Sequence, residues 1–254
     1  DRIHLISTGG DAVSWRPFSE STLRIRASYK DIFRVPTFTD LYYLRMGNTN
    51  LKPEETSQYN VGVTWSSSCG DWLRHFSISA DGYYNTVKDK IVALPTMYVW
   101  KMMNMGEVDI KGVDVNLSTQ FRLPLRMSLL LASTYSFQYA VDVTDPEAKN
   151  YKDQIPYTPR HSGTVSVTLE NPWVNVSYIL TAVGDRYALP QNIDRNRIDS
   201  YIEQSISINR DFRFRYFGLR LQGELLNLAN VNYDVIQYYP MPGRSWRLSI
   251  CLSY

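Results

Sequence analysis

The chain has 254 residues, room for one large or two ordinary domains. Its 44% hydrophobic and 20% charged residues, with 12 Pro and 13 Gly, exclude a disordered tail, a collagen and a coiled coil, and a net charge of +2 is too small to point to nucleic acid. No run reaches the roughly 18 to 20 apolar residues of a membrane helix, and mean hydropathy is -0.31; helical membrane proteins are excluded, strand-built ones are not.

Taken in chain order, the predicted elements are strands. Residues 11–18 read as the tail of one strand, and 23–30 as the next. In 58–65, Tyr59, Val61, Val63 and Trp65 alternate with Gln58, Asn60, Gly62 and Thr64. The period of two returns at 76–85, 112–121, 127–136, 164–169, 174–182, 198–209 and 217–226. It is cleanest at the end, where Trp246, Leu248, Ile250, Leu252 and Tyr254 alternate with Arg247, Ser249, Cys251 and Ser253. Apolar residues almost never recur at helical spacing, so about ten strands and nearly no helix are expected.

The connections differ by parity. Short turns are predicted at 17–21, 66–71, 122–126, 171–172 and 210–215, and long loops at 31–53, 88–98, 142–159, 184–197 and 227–243. Tight turns at one end and long loops at the other are the expectation for an all-β transmembrane antiparallel barrel, with apolar side chains toward lipid and polar ones toward the lumen. A soluble β-sandwich also alternates, but its loops need not separate by parity. Trp15, Phe18, Trp65, Trp72, Phe121, Trp173 and Tyr254 lie near the short turns, as an interfacial aromatic girdle would. The 19 Tyr belong at such interfaces and at the barrel mouth.

Residues 33–42, with Arg34, Pro36 and Leu41, followed by Gly47, Asn48, Leu51, Pro53 and Glu54, resemble the barrel of TonB-dependent outer-membrane receptors. Similar motifs follow in order at 104–106, 110–114, 157–161, 226–228 and 239–244. Family members carry a plug domain inside a barrel of about 22 strands. The resemblance therefore implies that residues 1–254 are the C-terminal portion of such a barrel, with the plug and first strands elsewhere. It also implies that Trp246, Leu248, Ile250, Leu252 and Tyr254 form the signal read by the barrel assembly machinery. The implied partners are the TonB complex acting through the plug, the lipid bilayer with its lipopolysaccharide, and a surface lipoprotein; the implied location is the outer membrane of a Gram-negative bacterium. No cofactor is implied.

Aromatic and Arg residues near the long loops are the candidate ligand contacts: Tyr42, Tyr43, Arg45, Tyr98, Trp100, Tyr139, Tyr151, Tyr187, Tyr238 and Tyr239. For the 31–53 segment the competing reading is a motif that anchors the loop to the rim. Arg24, Arg26, Asp81, Asp114, Glu224 and Arg247 fall on the lumen face. Asp142, Asp145, Glu147 and Asp153 are hard oxygen donors without EF-hand spacing, and a solvated acidic loop accounts for them. No catalytic motif is present, and His161 with Asp153 is the one pair that could imitate a rim protease. Cys69 and Cys251 are expected to stay apart. The reading for function is TonB-energised import of a large scarce solute such as siderophore-iron, cobalamin or haem. The alternative is a self-contained ten-stranded surface protease or adhesin.

Overall fold

The computed structural model describes residues 4–7, 10–18 and 22–253. Twelve strands form one antiparallel sheet in which chain neighbours pair. They are β1 (His4–Ser7), β2 (Gly10–Trp15), β3 (Arg24–Arg34), β4 (Glu54–Cys69), β5 (Leu73–Pro95), β6 (Trp100–Leu123), β7 (Met127–Asp142), β8 (His161–Glu170) and β9 (Asn175–Val183), then β12 (Tyr201–Arg213), β13 (Gly218–Leu226) and β16 (Ser245–Ser253). Two short ladders lie in loops: β10 (Arg186–Tyr187) with β11 (Arg197–Ile198), and β14 (Asp234–Ile236) with β15 (Tyr239–Pro240). Helix is confined to α1 (Phe38–Tyr42) and a 3-10 turn at Asp194–Asn196.

The strand count exceeds the ten expected. The 11–18 tail is a full member of the sheet as β2, and β1 precedes it, too short at four residues to show a period. A second correction concerns 88–98, which is not a loop. Strands β5 and β6 run 23 and 24 residues and pair up to Pro95 opposite Trp100, so the connection is an elongated hairpin.

Register fixes two faces. Val61 sits opposite Gly82, Gly82 opposite Val113, and Val113 opposite Phe137, placing Val61, Val113 and Phe137 together on the apolar face. The other face carries the ion pairs Arg26–Asp81 (3.0 Å) and Arg247–Glu224, and Ser136 Oγ donates to Asp114 Oδ1. Every polar residue assigned to the lumen that forms one of these contacts lies on this second face. On the apolar face of β16, Trp246, Leu248, Ile250 and Leu252 are exposed in one row; Tyr254 lies outside the described residues. A free Cys251 lies on the polar face opposite Arg220.

At the short-turn end, Trp72 stacks on Phe121 at 5.6 Å and Trp65 meets Phe76 edge-on at 5.3 Å. Trp15, Phe18 and Trp173 are exposed there. The core is at the opposite end, where Val87, Met105, Val108, Ile110 and Ala140 receive Ile155 from the loop after β7.

Candidate site at the mouth of the sheet

Five segments gather at the long-loop end: 35–53, the β5–β6 hairpin tip, 143–160, 184–200 and 227–244. The first is built by its own motif. Thr37 caps α1, accepting from Asp40 N while its own N–H donates to Asp40 Oδ2 (2.9 Å), a reciprocal box that secures a helix too short to persist alone. Arg34 bridges Asp40 (3.0 Å) and Glu54 (3.4 Å), and Glu54 also accepts from Ile91 N. Burial alone would push Asp40 up, but the Thr37 hydrogen bonds and the Arg34 guanidinium hold its carboxyl below the usual range. Gly47 is required because a Cβ there would meet Leu41 O at 2.5 Å. Asn48 donates to Met102 O, while Asn104 accepts from Lys52 N and donates to Lys52 O and Asp89 O. Leu51 is buried. Asn48 and Glu54 thus bond the segment to the hairpin, Arg34 ties Glu54 to Asp40, and Gly47 lets the loop close on Leu41, with Pro36 and Pro53 at its two ends.

The next segment turns inward. Asp142 accepts from Thr144 N (2.9 Å), from the Thr144 hydroxyl and from Asn150 Nδ2 (2.8 Å). Asp145 accepts from Glu147 N, and Asp153 from Asn192 N. These acids therefore fold the loop. Gly106 lies so close beneath Thr144 that a Cβ would come within 2.3 Å of its methyl. His161 does not meet Asp153; its Nδ1 pairs with the Tyr135 hydroxyl at 2.9 Å on the apolar face, so the protease-like pair is not assembled.

Arg186, absent from the sequence-derived candidates, fastens the last two segments. It is buried, donates to the carbonyls of Asp199, Asp234 and Val235, and stacks on Tyr201 at 5.4 Å. Tyr201 stacks on Tyr233 at 4.0 Å, and Tyr233 donates to Glu203 at 2.9 Å. Burial, then the Glu203 carboxylate, push the Tyr233 hydroxyl up to about 12. Gln237 donates to Arg195 O, Tyr157 N to Tyr187 O, and Trp100 packs tilted against Tyr157 at 5.6 Å. Burial raises Tyr157 too. Each mouth segment is thereby joined to the next, giving a continuous collar.

The structure separates the ten aromatic and Arg candidates. Tyr42, Tyr43, Tyr98, Tyr238 and Tyr239 are exposed on the collar, and Arg45 stands among them with a left-handed backbone, φ 66°. Trp100 and Tyr187 are part of the collar's internal bonding. Tyr151, with Leu94, Asn104, Met105, Asp142 and Pro190, lines a recess of about 310 Å³. Tyr139 belongs to the apolar face, with Lys111 and Arg160 over its ring. No cluster of three or more metal-ligating side chains occurs among the described residues.

The profile of the family described as TonB dependent receptor-like, beta-barrel matches residues 8–228. The vitamin B12 transporter BtuB of Photobacterium profundum is 27% identical over 236 residues, 89% of this chain and 34% of its own length. The copper transporter OprC superposes with a TM-score of 0.70 at 16% identity, over 96% of this chain and 39% of that one. BauA, the ferric preacinetobactin receptor of Acinetobacter baumannii, does so at 0.69 and 13% identity, over 96% and 36%. The chain thus spans about a third of the length of the curated relatives it matches.

Proposed function

The chain belongs to the TonB-dependent receptor family through its β-barrel domain, and from that premise we propose that it is the C-terminal portion of an outer-membrane receptor importing a large scarce solute. The solute classes are siderophore-bound iron, cobalamin and haem; a B12 transporter and a ferric-siderophore receptor stand among the relatives. The observation that carries the reading is the collar: five loop segments bonded in series at one end of the sheet, with aromatic side chains exposed outward. Such rings offer large contact area at small entropic cost.

Tyr42, Tyr43, Arg45, Tyr98, Tyr238 and Tyr239 are the first contacts for the solute, and Tyr151 lines its way inward. The lumen-facing ion pairs Arg26–Asp81 and Arg247–Glu224 face the plug through which the TonB complex pulls. The remaining partners are the assembly machinery at β16, lipopolysaccharide around the barrel, and a surface lipoprotein over the collar. The membrane is the outer membrane of a Gram-negative bacterium.

The test is uptake of labelled cobalamin, ferric siderophores and haem by cells carrying the full-length receptor, with and without a working TonB complex. Accumulation of one solute class that disappears without TonB is expected, and Tyr98→Ala with Tyr238→Ala should weaken its binding about tenfold, as loss of aromatic anchors does. Uptake that is equal with and without TonB for every class would overturn the proposal.

A further inference from the structure

One residue of the collar has a backbone that its side chain does not favour. Pro156 and Tyr157 make a turn in the segment that leads to β8, and Tyr157 takes its second position with φ 58°. That position of a Pro-led turn ordinarily takes Gly or Asn, because in a left-handed residue Cβ crowds the following carbonyl oxygen. A tyrosine there is a conformational outlier, and such outliers persist where the surroundings hold them in place.

Three neighbours hold Tyr157, each from a different mouth segment. The Trp100 ring of the β5–β6 hairpin packs tilted on the Tyr157 ring, with centroids 5.6 Å apart. The Tyr157 N–H donates to Tyr187 O of the 184–200 segment at 2.7 Å. The Gln237 N–H of the 227–244 segment donates to the Tyr157 hydroxyl, while the Gln237 side chain donates to Arg195 O at 3.1 Å. Ring, backbone and hydroxyl are thus each given to a separate segment, and Tyr157 is half-buried among them.

Two of these neighbours stand beside aromatic side chains exposed on the collar. Tyr98 is two residues from Trp100, in a tip closed by the bond from Thr96 N to Val99 O at 2.8 Å. Tyr238 and Tyr239 follow Gln237, and Tyr238 N donates to Asp234 Oδ2 at 3.0 Å. At about 3.3 Å per residue, each of these rings is within about 7 Å of chain from a group that Tyr157 holds. The 35–53 segment is tied to the same hairpin, since Met102 N donates to Met46 O at 2.9 Å and Asn48 donates to Met102 O at 3.1 Å. Loops already held in place have less order to lose when a ligand arrives, and an apparent affinity falls with the fraction of molecules in the competent arrangement.

We propose that Tyr157 is the positioning residue of the mouth: without touching the solute, it sets the spacing between Tyr98 on the hairpin tip and the Tyr238–Tyr239 pair on the last loop. The proposal rests on the reading of the collar as the place where the solute lands, and adds the residue that pre-organises it. Full-length receptor in detergent is titrated with cyanocobalamin, a ferric hydroxamate chelate and haemin, and amide exchange is followed with and without the probe that binds. Tyr157→Gly keeps the left-handed turn and removes the ring and its hydroxyl. It should weaken binding about tenfold and quicken exchange at 96–101 and 234–241 of the free receptor by about the same factor, leaving the bound state and the amides of β7 and β8 as in the parent. Tyr157→Phe, which keeps the ring against Trp100, should quicken 234–241 alone and weaken binding by a smaller factor. Weaker binding without faster exchange would make Tyr157 a solute contact and overturn the proposal, as would faster exchange at unchanged affinity, or no change in either. Failure of the import reading has a different signature: the parent itself binds none of the three probes, while Tyr157→Gly still loosens the hairpin tip and the last loop.

Discussion

Asp40 and Tyr233 show how single side chains organise the mouth. The folded Asp40 carboxyl lies below its ordinary range, so its contribution is complete above the unfolded pKa of about 4 and is lost as pH falls through the folded value. Proteolytic protection of residues 35–53 should therefore hold at neutral pH and fail in strong acid. Asp40→Asn should raise the cleavage rate there about fivefold at pH 7, in line with about 1 kcal/mol for losing the charge-assisted bond from Arg34. Tyr233 has the opposite sign: its folded pKa is raised to about 12, so the neutral hydroxyl stabilises the collar below pH 10 and that contribution fades between 10 and 12. The difference in alkaline absorbance titration between the parent and Tyr233→Phe should place one tyrosine near 12; a step near 10 would contradict the Glu203 bond. Much at this scale was legible in the chain. The 34–54 motif stood out, and alternation gave each strand residue its face. Arg186 did not stand out, because it owes its role to the carbonyls of Asp234 and Val235, some fifty residues ahead, and periodicity carries no such contact.

Among the elements, turns and strand lengths diverged most from expectation. The β6–β7 turn places Leu125 and Arg126 at φ 59° and 60°, a pair of left-handed residues for which Asn-Gly is the favoured sequence. Leu125→Asn with Arg126→Gly should therefore raise stability by about 1 to 2 kcal/mol in denaturant unfolding. The 88–98 segment reads as a loop because its alternation lapses at Asp89, where the backbone adopts φ 51°, and because Pro95 ends the apolar pattern. Pairing nevertheless continues on both sides of that residue, since Glu54 at the start of β4 accepts from Ile91 N and Lys52 O of the docked 35–53 loop accepts from Asn104. Tertiary contact sustains a strand that local preference would have ended. Weakening that contact is measurable: in Asn104→Ala, amide exchange at 46–53 should quicken several-fold while the amides of β7 stay protected.

For the whole molecule, the sheet pairs on one side only at β1 and at β16 among the described residues. Open edges invite self-association. On the reading as the C-terminal portion of a receptor, residues 1–254 produced alone should aggregate or dimerise in detergent, whereas a receptor with its remaining strands should run as a monomer on analytical ultracentrifugation. The all-β class and the split into an apolar and a polar face were both legible here, because a period of two is a property of the entire chain. What the chain's pattern concealed was stature. From Phe121 to Trp100, β6 runs about 70 Å, far more than the about 25 Å height of a barrel's apolar band requires. On the reading as an outer-membrane barrel, an epitope tag inserted at 96–99 should stand clear of the bilayer, and antibodies should stain intact, living cells; a tag that stays hidden there would contradict that reading.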